Sequence, residues 1–310
     1  MSENSKPQDE KQNEIPEKTG RLKISNLRIW IYSFSIPALL VTGYIAGRFV
    51  SPEDIGHFGN SVIENLDENI LWFILAGFIA QLIDGALGMA YGVTATSFLL
   101  SFGLSPAVSS ASVHASEVFT SGVSGLMHLK FGNVNSKLFK NLLIPGVIGA
   151  ILGAYILTSL EEYNHYIMPI VSFYTLILGV IIIRKALKKH RGRKKVKRLF
   201  PLAAAGGLLD SIGGGGWGPI VSSTLIANGK NPRYTIGSVN LAEFFVALAS
   251  SFTFIATIGF THWSVIFGLI VGGVIAAPIG AFMANKIPTK ALMILVGILI
   301  IITSLKRILF

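Results

Sequence analysis

Five ionisable residues interrupt otherwise apolar stretches of this sequence: Asp84, His114, Glu117, Asp210 and Glu243. An acidic group at the centre of an apolar helix is unfavourable by about 2.5 kcal/mol or more, so such residues are read first as functional. Their chemistry is ion binding or proton transfer. A buried carboxyl group either ligates a cation or carries a proton that moves with another solute. Glu117 stands eleven residues after Pro106, about 16 Å along a helix and hence near mid-bilayer. His114, three residues earlier, shares its helical face. Ser109, Ser112 and Ser116 precede Glu117, as Thr235, Ser238 and Asn240 precede Glu243. The alternative reading is that these polar groups hydrogen-bond between helices and hold them together. With no cysteine and no second intramembrane histidine beside His114, no metal site and no cofactor is expected.

Two breaks accompany the aspartates. One reads Asp84-Gly85-Ala86-Leu87-Gly88 and the other Asp210-Ser211-Ile212-Gly213-Gly214-Gly215-Gly216. Four consecutive glycines destabilise a helix by about 1 kcal/mol each relative to alanine. Unwound backbone is tolerated within a membrane only where protein or a cavity satisfies it. Each break exposes the N–H groups of a half-helix N-terminus, which attract an anion. The expected substrate-binding set is therefore Gly88, Ser112, Gly213, Gly214, Gly215, Gly216, Ser238 and Asn240. Glu117 and Glu243 are the expected proton-coupling groups. Asp84, Asp210 and His114 are members of the site, or, for the aspartates, caps of the breaks. Tyr91 and Trp217, just past the breaks, wall a cavity or fill the core. Gly149 and Gly153 form a GxxxG pair that suits close helix packing.

The elements that must position these groups are membrane helices. The chain has 310 residues, 51% of them hydrophobic and only 14% charged. A soluble domain carries about 25% charge. Apolar blocks long enough to cross a bilayer fall at 29–48, 69–102, 106–128, 139–159, 166–183, 199–227, 233–259, 262–284 and 289–308. Residues 1–28 are polar and read as a disordered cytoplasmic arm, and 29–48 as an extra N-terminal helix. The stretch from Ile29 lacks a small-residue cleavage site, so a secretory signal peptide is not expected. Ten of the fifteen residues in 184–198 are Lys or Arg. They read as a topology-fixing cytoplasmic loop rather than an anionic-lipid or nucleic-acid patch.

The positive-inside rule puts the N-terminus and the loops bearing Lys130, Lys137, Lys140, Lys230, Arg233, Lys286 and Lys290 in the cytoplasm. Parity then requires 69–102 and 199–227 to cross an even number of times, as re-entrant hairpins or pairs of short helices. Lys306 and Arg307 are the misfit, falling outside. A shift of 126 residues aligns the two odd blocks without a gap: Asp84 on Asp210, Gly92 on Gly218, Pro106 on Pro232, Ser112 on Ser238 and Glu117 on Glu243. Each repeat is a hairpin plus three crossings, so the halves point in opposite directions. The expected fold is an all-α polytopic membrane protein with two inverted repeats, 69–183 and 199–308. Glycine-broken segments at matching positions of an inverted repeat point to a secondary transporter with its site between the halves.

The residues Gly77-x6-Asp84-Gly85-x2-Gly88-x3-Gly92 and the following helix to Glu117 resemble the TauE/SafE family of sulfite exporters and sulfonate uptake proteins. So, more specifically, do Asp210-x2-Gly213-Gly214-Gly215-Gly216-x-Gly218-Pro219 and the helix from Pro232 to Glu243. The first half departs in having Met89 and Ala90 where the second has glycines. The resemblance implies a plasma-membrane permease for sulfite, a sulfonate or a related small anion. A cation transporter using the same carboxylates and, behind it, a membrane enzyme are the rivals; no nucleophile–base pair supports the enzyme. The expected partners are a small anionic substrate and the bilayer. The sequence is compatible with a homodimer and gives no reason to expect nucleic acid.

Overall fold

The computed structural model describes residues 69–87, 89–187, 198–259, 262–283 and 289–309. The expected arm 1–28, the helix 29–48, Gly88, Lys286 and most of the basic loop lie outside them. The described residues form helices joined by short turns, with no strand among them. In order these are α1 (Ile70–Leu87), α2 (Tyr91–Ser101), α3 (Pro106–Lys130), α4 (Ser136–Ser159) and α5 (Asn164–Leu187). Then come α6 (Leu199–Gly213), a π-helical turn (Gly218–Ser222), α7 (Ser223–Ala227), α8 (Pro232–Ile258), α9 (Trp263–Met283) and α10 (Thr289–Leu309). Segments Ser136–Ser159, Glu161–Leu187 and Pro232–Ile258 are long and apolar enough to cross a bilayer.

Local chemistry sets the helix starts. Asn135 accepts from the Leu138 amide at 2.9 Å ahead of α4. Asn231 accepts from the Arg233 amide at 3.0 Å ahead of α8, whose first residue is Pro232. These are side-chain caps of the usual kind.

The two odd blocks fold as hairpins. With 11 residues, α2 is about 16 Å long, half the hydrocarbon thickness. Phe102 just beyond it lies 6.1 Å from both Trp72 and Phe73 at the start of α1, so the hairpin returns to the end it began from. In the second block Leu199, Leu202 and Leu225 pack in one cluster with Leu138 and Leu142, so α6 and α7 also share an end. That end carries the basic residues: Arg233 of α8 donates from Nη2 to the Phe131 carbonyl at 3.2 Å, joining the loops on either side of Lys130 and Lys230. At the opposite end Val108, Gly259 and His262 line one cleft. Arg307 reaches Met168 there, near the turn that starts α5.

The most extensive helix pairs are α1 with α9, α4 with α6, α3 with α8 and α5 with α10. Glycines bring the helices of these pairs into backbone contact. Gly149 and Gly153 of α4 face Ala204 and Leu208 of α6, and Gly272 of α9 faces Ile74 of α1. Close approach of this kind maximises dispersion contact where water gives no drive for helices to associate.

Candidate functional site

The two breaks meet in the middle of the molecule. Thr96 Oγ1 donates to the Gly214 carbonyl at 2.5 Å. A side chain on Gly92 would stand 2.8 Å from that same oxygen and 2.9 Å from Gly215 Cα. A side chain on Gly218 would stand 2.8 Å from Met89 Cβ. Gly214 closes α6 in the left-handed region, with φ 61°, as glycine does at little steric penalty. In the first break Ala90 has φ 103°, a conformation that strains an alanine. The corresponding residue of the second break is Gly216. Tyr174 of α5 covers Gly213 and Gly216 and donates to the Gly215 carbonyl at 3.3 Å.

Carboxylates occupy the amide groups at the starts of the broken helices. Asp210 Oδ1 accepts from the Trp217 amide at 2.8 Å. The Tyr91 amide is directed at Asp84, and the Gly92 amide at Glu117. Glu117 is 3% exposed, and its Oε2 has no hydrogen-bond partner. His114 is fully buried and meets Asp210 Oδ2 from Nε2 at 3.2 Å. One ligand atom from each of His114, Glu117 and Asp210 lies within 4.8 Å of the others. Glu243, partly buried, is within electrostatic range of Asp84 and Asp210. Asp84, Asp210 and Glu243 thus all lie within electrostatic range of Glu117. In a medium of low dielectric constant they cannot all be charged without a compensating proton or cation.

Not all expected site residues join this cluster. Gly213 to Gly216 flank it. Ser112 lines the cleft at the end away from the basic loops, with Val108, Ala111, Ser251, Phe254 and Ile255. Ser238 sits at the basic end, accepting from the Asn135 amide at 2.8 Å and donating to the Tyr234 carbonyl at 2.7 Å. Asn240 donates to Ser124 at 2.9 Å, and its Oδ1 is buried without a partner. At the basic end Arg233 Nε donates to Asn133, and Gly237 lies against the Asn133 backbone.

Tyr91 and Trp217 are core residues that also reach the next helix. The Tyr91 hydroxyl bonds Ser116 Oγ at 2.9 Å, and Trp217 Nε1 donates to the Val239 carbonyl at 3.2 Å. Sequence reasoning missed Thr96, Ser110 and Tyr174. Ser110 had a signal, since it lies one helical turn before His114. Thr96 and Tyr174 had none beyond being polar in apolar segments. A metal was not expected because only histidine and cysteine were weighed; the structure sets Glu117 of the same helix and Asp210 of the other half of the chain beside that imidazole.

Three comparisons bear on this site. The profile of the family described as sulfite exporter TauE/SafE matches residues 73–307. The chain is 40% identical over 247 residues to the probable membrane transporter protein YtnM of Bacillus subtilis (strain 168), covering 76% of this chain and 82% of that protein. No solved structure matches. The chain is thus a multi-pass membrane transporter, not an enzyme, and belongs to the TauE/SafE family.

Proposed function

We propose that this transporter moves a small anion, sulfite or a sulfonate, across the plasma membrane by alternating access between two inverted repeats, with Glu117 and Glu243 coupling the movement to protons. One observation carries the reading: the broken turns abut, and the protein's own carboxylates fill the amides at their helix starts. A carboxylate on a set of amides is an internal stand-in for a substrate oxyanion. Protonation of Glu117 removes its charge and frees the Gly92 amide for the incoming anion, so proton and anion travel together. Glu243 is the matching carboxyl of the second half and the second coupling group.

The inverted repeat is supported by contacts that exchange under the 126-residue shift. Gly92 against Gly215 becomes Gly218 against Met89. Asp84 toward the Tyr91 amide becomes Asp210 on the Trp217 amide. The packing of α1 on α9 becomes that of α6 on α4. The hairpins open toward opposite ends. The cleft at one end of α3 and α8, and the Arg233–Asn133 contact at the other, fit one state of a two-state cycle.

A cation transporter is the second reading, favoured by the proximity of His114, Glu117 and Asp210. Full-length protein in proteoliposomes preloaded with sulfite separates the two. Counterflow of labelled sulfite should be blocked by unlabelled sulfite or methanesulfonate and not by Mn²⁺ or Na⁺. Labelled cation flux without anion exchange would reverse the choice.

A further inference from the structure

Both groups near Nδ1 of His114 are acceptors. The Ser110 carbonyl lies at 2.8 Å. Ser110 Oγ lies at 3.3 Å and has already given its hydrogen to the Ser211 carbonyl at 2.6 Å. Nδ1 therefore carries a hydrogen. A neutral ring with that tautomer presents a lone pair at Nε2. Opposite it, at 3.2 Å, stands Asp210 Oδ2, and an ionised carboxylate has only lone pairs to offer. Two acceptors do not face each other in a dry interior. One more proton must lie between them, making the pair imidazolium and carboxylate or imidazole and carboxylic acid.

We infer that the His114–Asp210 pair is the resting seat of the transported proton, and that Glu117 is the group to which the pair passes it. This rests on the proton-coupled anion reading above and deepens it. In the transfer the hydrogen between Nε2 and Oδ2 leaves the pair and forms an O–H bond on Glu117, whose carboxylate becomes a neutral acid. The pair is left as neutral imidazole and carboxylate, an unfavourable facing of two acceptors that makes this state transient and draws in the next proton. Glu117 is suited to receive it: one of its carboxylate oxygens lies within 4.8 Å of ligand atoms of the pair, and its Oε2 is buried without a partner.

Among the described residues, the other elements around the pair offer no competing seat at that distance. Tyr174 of α5 is bound to the Gly215 carbonyl, and Tyr91 of α2 to Ser116. Phe254 of α8 presents a ring 6.0 Å from the imidazole. From α4, glycines face α6. Asp84 of α1 and Glu243 of α8 lie within electrostatic range of the acidic cluster. The residue matching His114 in the second half is Asn240, which cannot titrate. The chain therefore has one such seat rather than two.

The test uses full-length protein labelled with ¹⁵N-imidazole histidine, without substrate, in lipid. The His114 signal, assigned by its loss in H114N, should show a hydrogen on Nδ1 and a second hydrogen bound to or bridging Nε2. In D210N, where the amide still accepts from Trp217, the ring should revert to the neutral Nδ1–H form. An Nε2–H tautomer in the wild type, or a D210N signal identical to it, would overturn the proposal, as would stoichiometric Mn²⁺ binding that D210N abolishes. In the same protein, a gradient of one pH unit coupled to one proton supports about tenfold accumulation of methanesulfonate. H114N should bring that ratio toward one, and an unchanged tenfold ratio would also overturn the proposal. Absence of any anion exchange by the wild type counts against the anion reading itself, while the resonance result still decides the seat of the proton.

Discussion

Gly215 is the position at which the packing of the two broken turns is most exposed to test. An added Cβ would lie 2.5 Å from Val93 Cα and would overlap backbone atoms of both Gly92 and Val93. Carbon atoms rest at about 3.5–4.0 Å, so Gly215→Ala must push the hairpins apart by about 1 Å or more. The obstructing atoms are backbone and cannot rotate away. The change therefore belongs at the upper end of the overpacking range, about 3 kcal/mol. For a chain of this order of size that is a fall of about 6–12 °C in melting temperature. Gly92→Ala meets Gly214 O at 2.8 Å and Glu117 Oε1 at 2.9 Å, a milder clash of about 1–2 kcal/mol. Gly103→Ala has open space around its Cβ and only a positive φ of 89° to oppose it, about 1 kcal/mol. Thermal unfolding of the three variants in detergent, followed by tryptophan fluorescence alongside sulfite counterflow, should rank them in that order, with Gly215→Ala losing exchange. A Gly215→Ala protein as stable as Gly103→Ala and fully active would refute the abutting turns.

Glu243→Gln keeps shape and hydrogen bonding but removes the titratable proton, so anion binding should survive while dependence of flux on a pH gradient disappears; intact gradient dependence would retire Glu243 as a coupling group. The parent chain has no cysteine, so single cysteines at Ser105 and Lys230 report topology cleanly: impermeant maleimide should label the first from outside and the second from inside, and labelling of both from one side would end the inverted-repeat proposal. Ala90→Gly relieves an alanine held at φ 103°; set against the added chain entropy, it should stabilise by about 0.5–1 kcal/mol, and a lower melting temperature would mean that no strain is stored there.

The helices were legible because each apolar block is bounded by prolines, asparagines and charges that act locally. Asp210 and the four glycines after it announced a break for the same reason: no lipid-facing helix accommodates them. The carboxylates stood out because an apolar stretch makes any charge conspicuous. The partnerships were not legible. His114 and Asp210 come from different halves, and what aligns them is the packing of α3, α4 and α6, where Gly149 and Gly153 rest on backbone atoms. Such contacts depend on small residues fitting carbonyls and leave no periodic signal. The alternative uses of the polar residues were equally hidden. Ser112 and Ser238 occupy matching places in sequence, yet one lines an open cleft and the other ties α8 to the Asn135 loop. The neighbours that tertiary packing gives each serine distinguish them, and neither helix's own sequence carries those. The capping alternative for Asp210 matches the contact it makes with the Trp217 amide, and the same side chain also faces His114.

Proton-driven accumulation of methanesulfonate by wild-type protein in proteoliposomes bears most directly on proton-coupled anion transport. The solute starts at equal concentration on both sides, the outside is one pH unit more acidic, and potassium with valinomycin holds the membrane potential at zero. One-to-one movement of proton and anion should raise the internal concentration about tenfold, and a protonophore should return it to the starting level. An internal concentration that never departs from the external one, or a rise that the protonophore leaves untouched, would contradict it.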